Sequence, residues 1–405
     1  MMEYNFSQMA QRLKRSEIRE LLKLTRQPDI ISFAGGLPDP SIFPYKAVEE
    51  AAVQALQEKG ELALQYSPTE GDPMLKEQLA IFMNQQGEKV KADDILIVSS
   101  SQQGLDLLSK VFIDPGDPVI VEKPTYLGTI QSFRAFGTDF HGVEMDFDGI
   151  IPEKVEEIIV KLAKEGRKPK FIYVIPDFQN PSGITLTIER RHQLLELASR
   201  YDLLIVEDSP YRELRFTGDL LPSLYSLDKE NRVLYMKTFS KILFPGFRIG
   251  WVLGPEPVLD KMIIAKQGTD LCTAAFNSIV AAYVLKNGHL TRQIEVSKKR
   301  YSKKVKIMLD ALDKYMPKLE GLTWARPEGG MFLYIKLPEY MDAVEMFPEA
   351  VESKVAYVIG SAFNYDGSGR NTMRLNYSFP TEEQIDTGIQ RLAGLIKKKA
   401  EQADH

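Results

Sequence analysis

The sequence has little of what disulfide frameworks and metal sites require. Among its 405 residues there is one cysteine, Cys272, which cannot form a disulfide within the chain. Nothing therefore points to an oxidising compartment. The four histidines are scattered, and no two of them have the spacing of a metal-ligand pair, so we expect no bound metal.

Long apolar runs and an excess of positive charge are also lacking. The longest uncharged stretch, residues 271–285, is too short and too polar to span a bilayer, and it favours a buried helix. The N-terminal segment is charged and has no apolar stretch suited to a signal peptide, so we expect a cytoplasmic protein without a membrane partner. A net charge of −5 gives no basic field, which argues against nucleic acid as a partner.

What the sequence does contain is an alternation of short apolar runs and longer amphipathic stretches. Predicted strands cover residues 95–99, 118–122, 171–175, 203–208, 232–239 and 250–254. Predicted helices between them cover residues 103–112, 151–165 and 188–201. The alternation predicts an α/β fold with a largely parallel sheet, and the near-continuous apolar strands predict burial on both faces.

The length of the chain favours two domains. From about residue 291 the pattern changes to a long charged helix, two more strands at 332–337 and 372–379, and a polar helix at the end. We predict an N-terminal arm and helix (1–44) that dock on the small domain, a large domain (45–290) and a smaller α+β domain (291–405).

Several predicted strands run directly into polar residues, at the edge of the sheet where open α/β proteins bind ligands. The first strand leads into the serine- and glutamine-rich run 99–104 at a helix start, a candidate anion site. Asn180 precedes a proline and is held extended, so its amide can project into a site. Alone, each would more often be a helix cap or a turn.

Two acids end the strand at 203–208, and alternation sends Glu207 and Asp208 to opposite faces. A buried carboxylate at a strand end needs a cationic or hydrogen-bonding partner, and a protonated pyridine nitrogen would be one. Tyr211, three residues after Asp208, could reach the same ring. An isolated strand-end aspartate is usually a helix cap, so the pair is informative only with its neighbours.

The most informative segment is residues 238–250, in which Lys241 follows a strand and two hydroxyl residues. A lysine that is partly desolvated beside positive charge has a lowered pKa and becomes a nucleophile towards aldehydes. Arg248 lies seven positions later, and with the hydroxyls it would supply charge-assisted hydrogen bonds to a phosphate dianion.

These residues resemble those of the aspartate aminotransferase superfamily of fold type I pyridoxal-phosphate enzymes, most closely its 2-aminoadipate and kynurenine aminotransferase II branch. The resemblance covers nearly the whole chain, and the matching motifs occur in the family's order. They include SFAGGLPDPSIFP (32–44), ALQYSPTEGDP (63–73), SQQGLDL (101–107), QNPSG (179–183), VEDSPYREL (206–214), AKQGTDL (265–271), PEGGMF (327–332) and MRLNYS (373–378). The implied fold has a large domain with a mostly parallel, seven-stranded sheet flanked by helices, and a smaller α+β domain.

The resemblance implies pyridoxal 5′-phosphate as the cofactor and assigns roles around its ring. Lys241 would form the Schiff-base link and carry the proton between the substrate Cα and the cofactor's C4′. Asp208 would pair with the pyridinium nitrogen. Asn180 and Tyr211 would bond to the phenolate oxygen of the ring, and Tyr126 would stack on its face.

The resemblance also implies residues for the phosphate and for subunit assembly. Tyr66 would reach the phosphate of the neighbouring subunit's cofactor, which requires a homodimer with shared active sites. The phosphate-binding residues within one chain would be Ser101, Gln102, Thr238, Ser240 and Arg248.

For the substrate, the resemblance implies that Arg374 binds the α-carboxylate, with Asn180 and Gly36 beside it. Arg19 would meet the substrate side chain, and it belongs to a basic stripe at helical spacing formed by Arg12, Arg15, Arg19, Lys23 and Arg26. That stripe either attracts an anionic substrate or is a solvated surface. The amino donor stays open among 2-aminoadipate, glutamate, aromatic and branched-chain amino acids, with 2-oxoglutarate as the expected 2-oxo acid.

Two other functions compete with an aminotransferase. A transcription regulator on the same fold would carry a long DNA-binding segment, and fewer than twenty residues precede the matching region, so we reject it. Another pyridoxal-phosphate reaction, such as decarboxylation, racemisation or lyase chemistry, stays open as the alternative. Arg374 favours transamination, because a fixed carboxylate leaves the Cα proton as the group to lose.

Overall fold

The computed structural model describes residues 4–13 and 29–403 of the chain. Its strands are β1 (Ile31–Ser32), β2 (Leu96–Val98), β3 (Pro118–Lys123), β4 (Asp139–Asp146), β5 (Gly149–Ile150), β6 (Phe171–Val174), β7 (Leu204–Asp208), β8 (Val233–Thr238), β9 (Gly250–Leu253), β10 (Thr323–Trp324), β11 (Phe332–Lys336), β12 (Val355–Ala356), β13 (Val358–Ile359) and β14 (Thr372–Asn376). Its α-helices are α1 (Gln8–Arg12), α2 (Tyr45–Ala63), α3 (Pro73–Asn84), α4 (Ser100–Phe112), α5 (Leu127–Ala135), α6 (Pro152–Lys164), α7 (Ile188–Arg200), α8 (Leu224–Leu227), α9 (Phe239–Ile242), α10 (Glu256–Gln267), α11 (Ala275–Lys286), α12 (His289–Tyr315), α13 (Ala343–Glu352) and α14 (Glu382–Ala403).

The central sheet has the strand order β2-β9-β8-β7-β6-β3-β4-β5 within the described residues. The pairs β3–β4, β3–β6, β6–β7 and β7–β8 are parallel, whereas β9 runs antiparallel to both of its neighbours and β5 runs antiparallel to β4. The prediction of an α/β fold with a mostly parallel sheet is therefore confirmed. The two-residue strand β5 extends the sheet beyond the seven strands expected.

The central strands are buried on both faces, as their apolar runs predicted. Every residue of β6 and β8 is buried. Helix α11 is also largely buried, in agreement with the interpretation of the uncharged stretch, although it begins four residues later than that stretch. No helix of the described ranges combines the length and apolar character that crossing a bilayer requires.

A second, antiparallel sheet has the order β10-β11-β14-β13. Arg374 lies at its centre, opposite Tyr334 on β11 and Val358 on β13. The N-terminal arm joins this part of the molecule, because β1 pairs in parallel with β12, whereas α1 lies against α5. The carboxyl edge of the central sheet and the centre of this second sheet face a common space, since Asp208 at the end of β7 and Arg374 line the same cavity.

Candidate active site

A cavity of about 470 Å³ lies at the carboxyl edge of the central sheet and reaches Phe332 and Arg374 of the small sheet. The predicted site residues that line it are Gly36, Ser101, Gln102, Tyr126, Asn180, Asp208, Tyr211, Thr238, Ser240, Lys241, Arg248 and Arg374. Tyr66 does not line it and is 76% exposed. Arg19 lies outside the described residues. The structure thus brings together residues that are up to 338 positions apart, from Gly36 to Arg374.

Lys241 enters the cavity from the short helix α9, which follows β8 directly. Thr238 caps this helix by accepting a hydrogen bond from the Ser240 amide at 3.2 Å. The Lys241 amine donates to the Gly36 carbonyl at 2.9 Å. Burial, reinforced by the positive charges of Arg374 and Arg248, lowers the pKa of Lys241 to about 8. At pH 7 about a tenth of this amine is therefore neutral and nucleophilic, far more than for an ordinary lysine.

Asp208 ends β7 with one carboxylate oxygen satisfied and the other free. Its Oδ2 accepts a hydrogen bond from the Tyr173 hydroxyl at 2.7 Å, and its buried Oδ1 has no partner among the described residues. Burial raises the pKa of Asp208 to about 6. Glu207 points to the other face, as alternation predicted, and accepts from the Tyr225 amide. A cationic N–H donor from a ligand would satisfy the free oxygen of Asp208.

Tyr173 was not among the site residues predicted from the sequence, because its contact with Asp208 depends on strand register. Tyr173 on β6 lies opposite Val206 on β7, and Val206 shares a face with Asp208 because side chains alternate along a strand. Once β6 and β7 are paired in this register, Tyr173 is the polar side chain within reach of Asp208. The register itself was not visible in the sequence.

Arg374 is held by residues from three parts of the chain. Its Nη1 donates to the Asn180 Oδ1 at 2.9 Å, and its Nη2 donates to the Ala34 carbonyl at 3.0 Å. The guanidinium lies 4.2 Å from the ring centroid of Phe332, while the buried Nε has no hydrogen-bond partner in the part of the chain that the structure describes. Burial lowers the pKa of Arg374 to about 10, so the side chain remains a cation at neutral pH.

Asn180 also connects Arg374 to Tyr211. Its amide nitrogen donates to the Tyr211 hydroxyl at 3.4 Å, and the Tyr211 ring packs edge-on against Phe332. Burial raises the pKa of Tyr211 well above its usual range, so the hydroxyl stays protonated and available as a donor. The three polar groups of Asn180, Tyr211 and Arg374 therefore form one connected wall of the cavity.

Several hydroxyl groups and one guanidinium group lie near the start of α4. The Thr238 hydroxyl donates to the Ser240 Oγ at 3.0 Å, and the Arg248 Nη1 lies 3.4 Å from the same oxygen. Gly250 permits the close approach of the helix, since a Cβ there would lie 2.8 Å from the Ser101 backbone nitrogen. The amino end of α4 and these side chains together suit an anion such as phosphate.

Tyr126 immediately precedes α5 and lies against Gly128 of the first turn of that helix. A Cβ on Gly128 would come within 2.5 Å of the Tyr126 ring, so the glycine makes room for the aromatic side chain beside the cavity. Burial raises the pKa of Tyr126, which keeps the hydroxyl neutral. A flat ring of this kind can stack on an aromatic ligand.

A second buried acid, Glu122, supports the loop that carries Asn180. Its Oε2 accepts from the Ile175 amide and from the Gln179 side chain, both at 3.1 Å. Burial raises the pKa of Glu122 to about 8. In the sequence, Glu122 is visible only as the end of a predicted strand, because nothing there shows which loop faces it.

The chemistry of this cavity fits a phosphorylated pyridine aldehyde. Lys241 offers an amine to the aldehyde, Asp208 offers a free buried oxygen to the ring nitrogen, and Ser240 and Arg248 offer donors to the phosphate. No cluster of three or more acidic, histidine or cysteine side chains in the described chain is arranged to hold a metal ion.

Comparison with known proteins identifies the family. Residues 29–392 match the model of the family described as aminotransferase class I and II. The chain is 44% identical over 398 residues to aromatic-amino-acid aminotransferase 1 of Thermococcus litoralis, with 98% of this chain and 95% of the relative covered.

Two solved structures extend this similarity to the fold. The kynurenine aminotransferase of Pyrococcus horikoshii, solved in complex with PMP, superposes with a TM-score of 0.94 at 44% identity, over 97% of each chain. The alpha-aminoadipate aminotransferase of Thermus thermophilus, complexed with N-(5′-phosphopyridoxyl)-L-leucine, superposes with a TM-score of 0.88 at 40% identity, also over 97% of each chain. The chain therefore belongs to the class I and II aminotransferases and is a pyridoxal-phosphate-dependent aminotransferase of fold type I.

Proposed function

We propose that this aminotransferase moves the amino group between an L-amino acid and a 2-oxo acid in a ping-pong cycle through Lys241. The candidate donors are 2-aminoadipate, glutamate, aromatic and branched-chain amino acids, and 2-oxoglutarate is the candidate acceptor. The observation that carries the proposal is the presence, in one cavity, of a lysine with a pKa of about 8 and a buried arginine whose Nε is unpaired within the described residues.

The residues described above would hold the cofactor by complementary chemistry. The start of α4 with Ser240 and Arg248 would bind its phosphate, Asp208 would keep a proton on its ring nitrogen, and Tyr126 would pack on its ring. When bound, pyridoxal phosphate withdraws electrons from the substrate Cα and makes the Cα proton acidic.

Arg374 and Lys241 would then act on different groups of the substrate, its α-carboxylate and its Cα proton. Arg374 can direct its Nε and an adjacent Nη at the α-carboxylate, which orients the Cα–H bond. Lys241 can accept the Cα proton and return it at the C4′ atom of the cofactor, because its lowered pKa allows both protonation states near neutral pH. Loss of the Cα proton with the carboxylate retained separates transamination from decarboxylation, and return of the proton at C4′ rather than at Cα separates it from racemisation.

The described cavity lining favours a broad range of substrate side chains. Leu37, Leu127 and Phe332 give it apolar contact surface. Lys241, Arg248 and Arg374 are the cations among the lining residues of the described ranges, and each already has a proposed partner. A distal carboxylate would therefore rely on Arg19. Apolar and acidic donors in one site also accord with the aromatic and alpha-aminoadipate names of the two relatives.

We further propose that the enzyme is a homodimer with shared active sites. Tyr66 is 76% exposed, and the nearby Leu62 and Leu64 are 60% and 77% exposed. Apolar surface of this kind is typical of contact with another protein. A second copy that covers it in a symmetric dimer would bring Tyr66 to the partner's cofactor phosphate.

A donor panel tests the proposed reaction. Purified enzyme would be given each candidate amino acid with 2-oxoglutarate, or with a different 2-oxo acid when glutamate is the donor, and the 2-oxo acid, carbon dioxide and D-amino acid products would be measured separately. We expect a new 2-oxo acid and a new amino acid in equal amounts. Release of carbon dioxide or racemised amino acid as the main product would refute the proposal in favour of another reaction of the cofactor.

The same panel tests the role of Arg19. Arg19→Gln should lower kcat/KM for dicarboxylic donors by an amount that corresponds to roughly 1.5–3 kcal/mol of activation free energy, the range for a charged hydrogen bond. The half-reactions with apolar donors should change little. Arg12→Gln is the matched control, because Arg12 belongs to the same stripe but donates to Gln8 on its own helix, α1, at 3.4 Å. An equal loss for both donor classes would mean that Arg19 is structural.

A further inference from the structure

The start of α4 has a backbone shape that ordinary helix capping does not maintain. Ser100 has a φ of 71°, in the left-handed region that non-glycine residues rarely adopt. Ser99, which precedes the helix, makes no side-chain capping hydrogen bond to it. Other contacts must therefore hold this turn, and the turn leads directly to Ser101 and Gln102 in the cavity.

Those contacts converge on Asp270, in the loop after α10. The Asp270 Oδ2 accepts the Ser99 hydroxyl at 3.0 Å and the Gln103 side-chain amide at 2.7 Å. The Gln103 Oε1 in turn accepts the Ser99 backbone amide at 2.7 Å. Ser99, Gln103 and Asp270 thus form a closed ring of hydrogen bonds around the first turn of α4, which we call the α4 clamp.

Lys266 fixes the orientation of the Asp270 carboxylate. The Lys266 side chain is 0% exposed, and its Nζ lies 2.8 Å from the Asp270 Oδ1. A buried ammonium needs an anionic partner, so this ion pair holds one carboxylate oxygen while the other faces α4. Lys266 also offsets a negative charge that would otherwise oppose an anion at the amino end of the helix.

We infer that Asp270 is a positioning residue for the phosphate of the cofactor. It does not line the cavity, and it acts by holding the α4 clamp in the shape that presents the first turn of the helix to the phosphate. The inference rests on the proposed binding of the phosphate at the start of α4. It adds a residue from a different loop, whose contribution is confined to the phosphate end of the cofactor.

The test compares two ligands that differ only in the phosphate. The affinities of the apoenzyme for pyridoxal phosphate and for pyridoxal would be measured in the wild type and in Asp270→Asn, together with thermal unfolding. Loss of one charged hydrogen bond predicts about tenfold or greater weakening for pyridoxal phosphate, with the affinity for pyridoxal changed by less than about twofold. Asp310→Asn is the matched control, because Asp310 forms an exposed i,i+4 pair with Lys306 on α12.

A second variant separates the clamp from a general effect on folding. Gln103→Glu places a carboxylate against Asp270 and should cause the same selective loss. The double variant Asp270→Asn with Gln103→Glu exchanges donor and acceptor, so it should recover most of the affinity for pyridoxal phosphate.

The possible results separate the inference from the proposal on which it rests. Equal weakening for both ligands, or no weakening in either single variant, would overturn the role of Asp270. A wild-type enzyme with no preference for the phosphorylated ligand would instead overturn the assignment of the phosphate to this cavity.

Discussion

Tyr173→Phe removes one hydroxyl from behind the active site and leaves the cavity lining unchanged. The Tyr173 hydroxyl donates to the Asp208 Oδ2 at 2.7 Å and lowers the pKa of Asp208 against the effect of burial. Phenylalanine fills almost the same volume, so packing should survive the substitution. The variant therefore changes the charge of Asp208 more than its position.

The magnitude follows from the strength of a hydrogen bond to a charged group. A loss of about 1.5–3 kcal/mol corresponds to roughly one to two pKa units, since each unit is about 1.4 kcal/mol. The pKa of Asp208, about 6 in the native protein, should therefore rise to about 7–8 in the variant. Near neutral pH, much of the carboxyl would then be protonated before the cofactor binds.

The assay is the affinity of the apoenzyme for pyridoxal phosphate as a function of pH. Because titration of Lys241 affects both proteins equally, the ratio of wild-type to variant affinity reports only the difference in the ionisation of Asp208. From the ionised fractions of Asp208, the ratio should be roughly 5 to 50 at about pH 6 and close to one above about pH 9. Tyr235→Phe is the matched control, because it removes a buried hydroxyl on β8 that lies 3.4 Å from the Lys237 Nζ. The ratio of wild-type affinity to the affinity of this variant should not change with pH. A ratio for Tyr173→Phe that is large but independent of pH would refute the reasoning.

Two further predictions concern Arg374 and Tyr66. Arg374→Gln should lower kcat/KM by about 10- to 150-fold through the loss of a charged hydrogen bond. It should also raise the pKa of Lys241, because the positive charge of Arg374 lowers that pKa in the native protein. An unchanged titration of Lys241 in pH-dependent reconstitution would contradict this electrostatic coupling. Mixing inactive Lys241→Ala subunits with Tyr66-disrupted subunits should restore activity at one of the two hybrid sites, and the absence of any dimer at assay concentration would rule out the shared site.

Much of the central sheet was predictable because its strands are continuous apolar runs bounded by polar residues. The bounds of β3, β6, β7 and β8 agree with the predicted ranges to within a residue at each end. Strand β4 was missed because it lies near the sheet edge, where only Val143 of its eight residues is buried and its charged side chains face solvent. The pairing of β1 with β12 joins residues more than 300 positions apart, and no local pattern signals it.

The candidate site was predictable where polar residues follow buried strands directly. Asp208 and Lys241 reach one cavity because parallel strands end at a common edge. Tyr173 and Glu122 could not be identified in this way, because their contacts depend on strand register and loop placement rather than on sequence spacing. Arg19 lies outside the described residues, so its role remains a proposal.

Covalent trapping tests the central claim that Lys241 binds the cofactor. The native holoenzyme would be treated with borohydride, which fixes the lysine–cofactor link, and then digested and mapped by mass spectrometry. We predict one phosphopyridoxyl-modified residue, Lys241, and no modification in Lys241→Ala. Specific labelling of a different lysine, or full transamination by Lys241→Ala, would contradict the account.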